Sequence, residues 1–184
     1  KDGLLETVFC DENGYAVFST DFPAGAKLYV REYSTDEHYV LSDTLYPVVF
    51  DYAGQDTATV RIAVYDGEAI INRLIRGGVR GFKTDRENGE QVAGALFGLF
   101  RADETTFTED TALLTSVSDA DGVFRFEGVP YGIWIVRELK PAEGFLPGGE
   151  SFTVQITEQD AVVMLTAVND RIPEIGTTAA IGGE

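Results

Sequence analysis

Three polar residues of types that can react with one another, Lys83, Glu138 and Asn169, each stand on an apolar, strand-like segment. A lysine amine is a nucleophile only after it loses its proton, and burial favours the neutral amine. Burial also favours the protonated form of a carboxyl group, so Glu138 could hold a proton and polarise the side-chain carbonyl of Asn169. These residue types therefore suit nucleophilic chemistry, provided that the fold buries them side by side.

Strand parity is compatible with such burial, because successive side chains of a strand point to opposite faces. Each of the three residues shares its face with an apolar or small neighbour two positions away, namely Gly81 for Lys83, Val136 for Glu138 and Ala167 for Asn169. All three polar groups can therefore point towards a core, where the expected aromatic neighbours are Phe97, Phe124 and Phe126.

The segment that ends at Glu138 repeats an earlier one that ends at Glu32. Both contain an acidic turn that ends in glycine, a short alternating run, a Pro-x-Gly motif and an apolar strand that carries the glutamate. The offset is 106 residues between the glutamates (138 − 32) and 107 between Pro23 and Pro130 (130 − 23). A nearly constant offset indicates a tandem repeat of domain-sized units.

Strand signals dominate the whole chain, and no segment has the long apolar period of a helix. Many short strands separated by turns predict an all-β fold of tandem Ig-like, Greek-key β-sandwiches. The predicted strands are Tyr15–Phe18, Lys27–Glu32, Pro47–Tyr52, Thr57–Val64, Ala69–Leu74, Val79–Lys83, Leu96–Phe100, Val123–Phe126, Ile133–Leu139, Ser151–Thr157 and Val162–Val168.

The repeat predicts three segments, at residues 1–77, 78–172 and 173–184. The second unit extends 55 residues back from Glu138 to Lys83 (138 − 83), whereas only 31 residues precede Glu32. We therefore expect the first unit to lack its opening strands. The last segment is rich in Gly, Thr and Ala, as expected of a linker or the start of a further domain. The chain is interpreted as part of a longer multidomain protein.

Composition argues against several classes of partner. The formal charge of −17 disfavours nucleic acid, and no apolar run is long enough for membrane insertion of this segment. The segment Asp119–Gly122 resembles the start of a calcium loop but lacks the closing glutamate, so a turn is favoured. With one cysteine, Cys10, and one histidine, His38, we predict no metal site and no cofactor.

An ordered series of motifs resembles CnaB-type (SpaA-like, prealbumin-like) stalk domains of Gram-positive surface and pilin proteins. The motifs are Gly81–Asp85, Val92–Phe100, Asp121–Phe124, Val129–Gly132, Arg137–Phe145 and Ala167–Asp170. The resemblance covers residues 78–171, and the first unit matches it from Leu4 to Arg73. It implies a reverse-Ig sandwich.

The resemblance also implies an autocatalytic isopeptide bond within the second unit. Lys83 would attack the side-chain amide of Asn169 with help from Glu138, and ammonia would leave. Such a reaction runs once per molecule, so the protein would not be an enzyme. The first unit has possible counterparts in Glu32 and Asn72 but no lysine on an opening strand. We predict that no bond forms there within this chain, even from Lys1, although a strand supplied in trans could complete the unit.

Simpler interpretations exist for the same residues. Lys83 could be a surface lysine at a strand end, and Glu138 could form an exposed salt bridge with Lys140. Asp85 and Asp170, which flank the key strands, are predicted to be solvated turn residues.

By resemblance, the function is that of a stalk segment of an extracellular, cell-wall-anchored adhesin or pilin-like protein. Anchoring would use other parts of the parent chain, and the main partners would be neighbouring domains of that chain. An alternative is a binding module that contacts a host surface protein or glycan through the aromatic loop Tyr39–Tyr46. A hydrolase is a third hypothesis, but it would need a second acid facing Glu138.

Overall fold

The computed structural model describes residues 3–23, 25–49, 54 and 63–174. The chain divides into two compact units, Lys1–Arg73 and Leu74–Glu184. The predicted domain bounds, 1–77, 78–172 and 173–184, remain predictions. Within the described ranges, no helix has the length and apolar character needed to cross a membrane.

The first unit has short strands. They are β1 (Lys27–Val30), β2 (Tyr39–Val40), β3 (Tyr46–Val49) and β4 (Arg73–Leu74), and a 3-10 turn spans Val64–Gly67. β1 pairs antiparallel with β3, with Leu28 opposite Val48. The predicted strands Lys27–Glu32 and Pro47–Tyr52 therefore form in part, while most of Thr57–Val64 lies outside the described residues.

One predicted strand of the first unit, Tyr15–Phe18, is wrong, and another, Ala69–Leu74, forms only at Arg73–Leu74. Tyr15–Phe18 and the stretch 69–72 have no strand structure, and Tyr15, Val17 and Ile71 are largely exposed. A strand needs a hydrogen-bonding neighbour, and no described segment pairs with either stretch. The alternating pattern alone was therefore not enough to form a strand.

The second unit is a sandwich of seven strands. They are β5 (Arg76–Asp85), β6 (Leu96–Arg101), β7 (Leu114–Val117), β8 (Val123–Pro130), β9 (Gly132–Lys140), β10 (Ser151–Ile156) and β11 (Val162–Asn169). One sheet has the order β10-β9-β6-β7 and the other has the order β11-β5-β8. This is the predicted all-β sandwich. β7 was not predicted, because it is a short edge strand without a strong apolar pattern.

The first and last strands of the second unit lie side by side. β5 is central in its sheet and pairs parallel with β11 and antiparallel with β8. Along β11, Ala167 lies opposite Lys83 and Asn169 lies opposite Asp85. Because side chains alternate, these four residues project from the same face of the sheet.

Aromatic rings fill the core between the two sheets. The rings of Phe97 and Phe124 stack with centroids 3.7 Å apart, and Phe126 meets Phe124 edge to face at 6.1 Å. All three side chains are buried, as predicted. A Cβ atom at Gly81 would lie 2.0 Å from the ring of Phe124, so the stacked pair requires glycine at this position.

The repeated acidic motif forms the same turn in both units. Asp11 Oδ1 accepts hydrogen bonds from the backbone N–H groups of Asn13 and Tyr15, and Asp119 Oδ1 accepts them from Asp121 and Val123. Such carboxylate-to-backbone bonds are typical of Asx turns. The motif thus acts as a turn, as the sequence favoured over a calcium loop.

Candidate functional site

β5 places Lys83 in the interior of the second unit. Its side chain is fully buried, which rules out the interpretation of a surface lysine. The Nζ atom donates a hydrogen bond to the Thr84 carbonyl oxygen at 3.0 Å and lies 5.7 Å from the centre of the Phe145 ring. Burial lowers the pKa of Lys83, although the negative charges of Glu138 and Asp85 oppose this shift. The site thus favours the neutral amine more than water does.

β9 and β11 bring Glu138 and Asn169 together across the sandwich. Asn169 is buried, and its Nδ2 group donates to both carboxylate oxygens of Glu138, at 2.8 and 2.9 Å. Glu138 belongs to the four-stranded sheet and Asn169 to the three-stranded sheet. The carboxylate therefore binds the amide nitrogen, the group that would have to leave if the amide carbon were attacked.

Gly148 completes this arrangement, and the sequence analysis missed it. Its backbone N–H donates to Glu138 Oε2 at 2.5 Å. A Cβ atom at this position would lie 2.8 Å from Asn169 Oδ1 and 2.9 Å from Glu138 Oε2. A glycine is thus required for the loop between β9 and β10 to cover the pair. The only sequence signal was the Gly148-Gly149 dipeptide, which looks like an ordinary loop.

Little space remains beside the pair. A cavity of about 10 Å³ is lined by residues that include Glu138, Asn169, Gly148 and Phe97. This volume is close to the smallest that holds one water molecule. It suits a reaction between side chains of the protein and is too small for a bound substrate.

Asp85 is a buried residue, so the prediction that it is a solvated turn residue was wrong. Its side chain is 1% exposed, forms an ion pair with Arg171 and accepts the backbone N–H of Glu87 at 2.9 Å. These two hydrogen bonds hold the pKa of Asp85 below its usual value, the bond from Glu87 having the larger effect. Asp170 is exposed, as predicted, and pairs with Arg86 at 3.1 Å.

Comparison with known proteins places the second unit in a family. The sequence model of the SpaA prealbumin-like fold domain matches residues 77–171, just over half of the chain. The chain belongs to the SpaA domain family. The SpaA domain contains Lys83, Glu138 and Asn169 within its matched range. No curated protein matches the chain.

Solved structures show where the fold recurs. The TIE protein of Bacillus anthracis has 19% identity and a TM-score of 0.69 over 90% of this chain, which spans 28% of that protein. This likeness shows the fold alone. BcpA, the major pilin subunit of Bacillus cereus, has 21% identity and a TM-score of 0.45, with 58% of this chain and 35% of its own chain covered. GBS52, the minor pilin of Streptococcus agalactiae, has 21% identity and a TM-score of 0.45, with coverages of 71% and 60%.

The exposed salt bridge considered for the SpaA domain does not form. Lys140 pairs with Glu109, whereas Glu138 is half-buried and bonded to Asn169 and Gly148. The register between β9 and β6 shifts between these two residues, so that the buried Phe97 lies opposite Glu138 while Leu96 lies opposite Lys140. The interpretation of Glu138 as a surface ion-pair residue is therefore wrong.

The first unit contains a similar carboxylate-amide pair. Asn72 Nδ2 donates to Glu32 Oε1 and, at 2.9 Å, to Thr35 Oγ1. The backbone N–H of Ser42 donates to Glu32 Oε2 at 2.9 Å, as that of Gly148 does to Glu138. Asn72 Oδ1 is buried without a hydrogen-bond partner among the described residues. The structure thus brings together Glu32 and Asn72 as it does Glu138 and Asn169.

No lysine is seen to join this pair among the described residues. Lys27 is exposed on β1, and Lys1, the other candidate, lies outside the described residues. Cys10 is exposed, and His38 contacts Asp36. The described residues contain no cluster of three or more His, Cys, Asp or Glu side chains suited to a metal ion.

Proposed function

We propose that this chain is a stalk segment of a Gram-positive surface protein, and that an isopeptide bond between Lys83 and Asn169 stabilises its SpaA domain. The observation that carries this proposal is the burial of a lysine on the same sheet face as an asparagine whose amide nitrogen is bound by Glu138. The pilin-like role is further supported by membership of the SpaA domain family.

The reaction needs only these three side chains. The neutral Nζ of Lys83 attacks Cγ of Asn169, which forms a C–N bond and moves an electron pair to Oδ1. Glu138 takes a proton from the attacking nitrogen and gives it to Nδ2, with which it already makes hydrogen bonds. The C–Nδ2 bond then breaks, ammonia leaves, and the carbonyl is restored in the new amide.

The site favours this chemistry in two ways. Burial lowers the pKa of Lys83 and so raises its neutral fraction. The fold places β5 beside β11, so Lys83 and Asn169 project from the same sheet face into one preformed core.

The product would suit a protein under mechanical load. The bond would tie the first strand of the sandwich to its last, so pulling on the ends of the unit could not separate them. A disulfide plays this part in many secreted proteins, but this chain has a single cysteine. We therefore place the protein outside the cell, attached to the wall through other parts of its parent chain and in contact with neighbouring domains of that chain.

Intact mass tests the proposal. The chain is expected to weigh one ammonia less than its sequence, while Lys83→Ala and Glu138→Ala are expected to show their full calculated masses. Glu143→Ala serves as the control, since Glu143 is an exposed residue of the following loop. A wild-type protein of full calculated mass would refute the bond.

A binding module for a host protein or glycan is the second candidate. Tyr39, Leu41 and Leu45 are 38%, 50% and 55% exposed, so the loop of the first unit presents apolar surface. Substituting these residues by serine should abolish adhesion without lowering stability if the loop binds a ligand. A hydrolase is disfavoured, because the cavity at Glu138 is too small for a substrate.

A further inference from the structure

Asp85 is a second buried carboxylate near Lys83, and the reaction proposed above does not use it. It lies two residues after Lys83 on β5, so both side chains project from the same face of the sheet, and both are almost completely buried. A buried negative charge beside a lysine stabilises the ammonium form. Left alone, Asp85 would therefore oppose formation of the nucleophile.

Arg171 holds this carboxylate. Its Nε group forms an ion pair with Asp85 Oδ2, and the backbone N–H of Glu87 donates to Asp85 Oδ1 at 2.9 Å. Lys83 instead donates to the carbonyl oxygen of Thr84, and the described residues show no ion pair between Lys83 and Asp85. Asp85 thus forms its ion pair with Arg171, and its charge acts on Lys83 without an ion pair between the two among the described residues.

Arg171 has a half-exposed side chain and contacts Phe145 beside the site. It lies two residues after Asn169, and its backbone forms a bridge with Phe145. Its guanidinium carbon lies 5.5 Å from the centre of the Phe145 ring, and Lys83 Nζ lies 5.7 Å from the same centre. The arginine and the lysine therefore share one aromatic neighbour, but of these two cations only the arginine forms an ion pair with Asp85 among the described residues.

We propose that Arg171 is a positioning residue for the cross-link, which acts by holding the Asp85 carboxylate so that Lys83 can become a neutral amine. The effect on the reaction rests on the function proposed above, whereas the effect on the charge of Lys83 can be measured without it. Arg171 is not one of the three residues that react in the proposed cross-link.

Other charged groups also act on Lys83. Glu138 on β9 and Glu150 before β10 favour its charged form, as Asp85 does, whereas Arg86 disfavours it. Among the described residues, Asp85 is the one of these three carboxylates that pairs with an arginine or lysine. A change at Arg171 therefore acts on Lys83 through Asp85 in particular.

The first experiment measures the charge of Lys83 in Asn169→Ala, a variant that cannot form the bond. NMR titration of the Lys83 side chain should show a midpoint at higher pH when Arg171→Gln is added. Adding Asp85→Asn to that variant should bring the midpoint back down, and Arg171→Lys should leave it close to that of the parent. An unchanged midpoint in Arg171→Gln would overturn the inference.

If Arg171→Gln does not fold, Asp85→Asn alone carries the test. Removing the carboxylate should then move the Lys83 midpoint to lower pH, and a midpoint that stays in place would overturn the inference.

The second experiment follows ammonia loss by mass in newly synthesised protein that retains Asn169. Arg171→Gln should slow the loss about tenfold at pH 7, because the neutral fraction of an amine falls tenfold for each pH unit that its midpoint rises. Asp85→Asn in the same variant should restore the rate, and equal rates in wild type and Arg171→Gln would count against the positioning role. If the wild type never loses ammonia while the Lys83 midpoint responds to Arg171, the proposed function fails and the charge relationship stands.

Discussion

Asn169 donates its side-chain amide to both carboxylate oxygens of Glu138 and so links the two sheets of the second unit. The bond orients the amide nitrogen towards the group that can protonate it. Lys83 is buried on the same sheet face as Asn169, two positions away in the strand register. The carboxylate that binds the Asn169 amide thus belongs to one sheet, the buried lysine belongs to the other, and the packed sandwich places Glu138 beside Asn169.

Replacing Glu138 by glutamine should block the cross-link while keeping the shape of the side chain. Glutamine can bond to neighbouring groups but cannot carry a proton from Lys83 to the leaving nitrogen. Proton transfer by a positioned side chain contributes about 10²–10⁴-fold to rate, so we expect a loss of that order in the rate of ammonia release, measured by intact mass. Glu143→Gln, at an exposed position, should react like the wild type. Normal ammonia loss in Glu138→Gln would contradict this role.

The covalent tie should raise the free energy of unfolding. The bond would close a loop of 86 residues (169 − 83). A cross-link over such a loop lowers the conformational entropy of the unfolded chain and so raises the free energy of unfolding by about 4–5 kcal/mol. Glu138→Gln is the matched comparison, since it keeps Lys83 and Asn169 in place. Denaturant unfolding should show that variant to be less stable by about this amount. Equal stabilities, with the bond confirmed by mass in the wild type alone, would refute a stabilising role.

The family resemblance identified the three residues of the proposed cross-link, and the period of two along a strand predicted that all three could face a core. Lys83, Glu138 and Asn169 lie on long strands of the second unit, where the alternation decides which face each side chain takes. Tyr15–Phe18 has the same kind of pattern without a pairing neighbour among the described residues, and it forms no strand there. An alternating pattern therefore determines which side chains face the core only where another strand pairs with the segment.

The surroundings of the site could not be predicted in the same way. Gly148 lies in a loop, where no period relates a residue to the core, and its contacts with Glu138 depend on how the loop folds back. Asp85 lies beyond the predicted strand Val79–Lys83 and before a turn, a place typical of solvated residues. Arg171 lies 86 positions further along the sequence and contacts Asp85 only in the folded chain. Both features are tertiary contacts without a local sequence signal.

A methyl group at position 148 should slow the cross-link. In Gly148→Ala the new Cβ atom would come within 3 Å of both Asn169 Oδ1 and Glu138 Oε2, so the loop or the pair has to move. Gly149→Ala is the matched control, because a Cβ atom there would have no neighbour within 4 Å. Mass measurements over time should show slower ammonia loss in Gly148→Ala and an unchanged rate in Gly149→Ala. Equal rates in the two variants would show that the contact has no effect.

Asp85 should contribute to stability in a way that depends on pH. Its pKa is lowered in the folded protein by the Glu87 N–H group and Arg171, whereas in the unfolded chain it is about 3.9. The folded state therefore binds the proton less readily, and the contribution is present above pH about 4 and lost as the pH falls through the folded pKa. Asp85→Asn should show a smaller loss of stability on acidification than wild type, measured by denaturant unfolding at several pH values. Asp121→Asn, in an exposed turn, is the control, and identical acid profiles for Asp85→Asn and wild type would contradict the prediction.

The first unit should remain without an isopeptide bond in this chain, although it has the carboxylate-amide pair. Asn72 bonds to Glu32 and Thr35, which matches half of the arrangement in the second unit. Among the described residues of this unit no buried lysine completes the arrangement, since Lys27 is exposed and an exposed amine stays protonated at neutral pH. Proteolysis followed by mass mapping should therefore recover the peptide that contains Asn72 in unmodified form, while the peptides of Lys83 and Asn169 appear joined. A peptide in which Asn72 is linked to Lys27 or Lys1 would contradict this prediction, and it would show that the acceptor pair can recruit a lysine without burying it in a central strand.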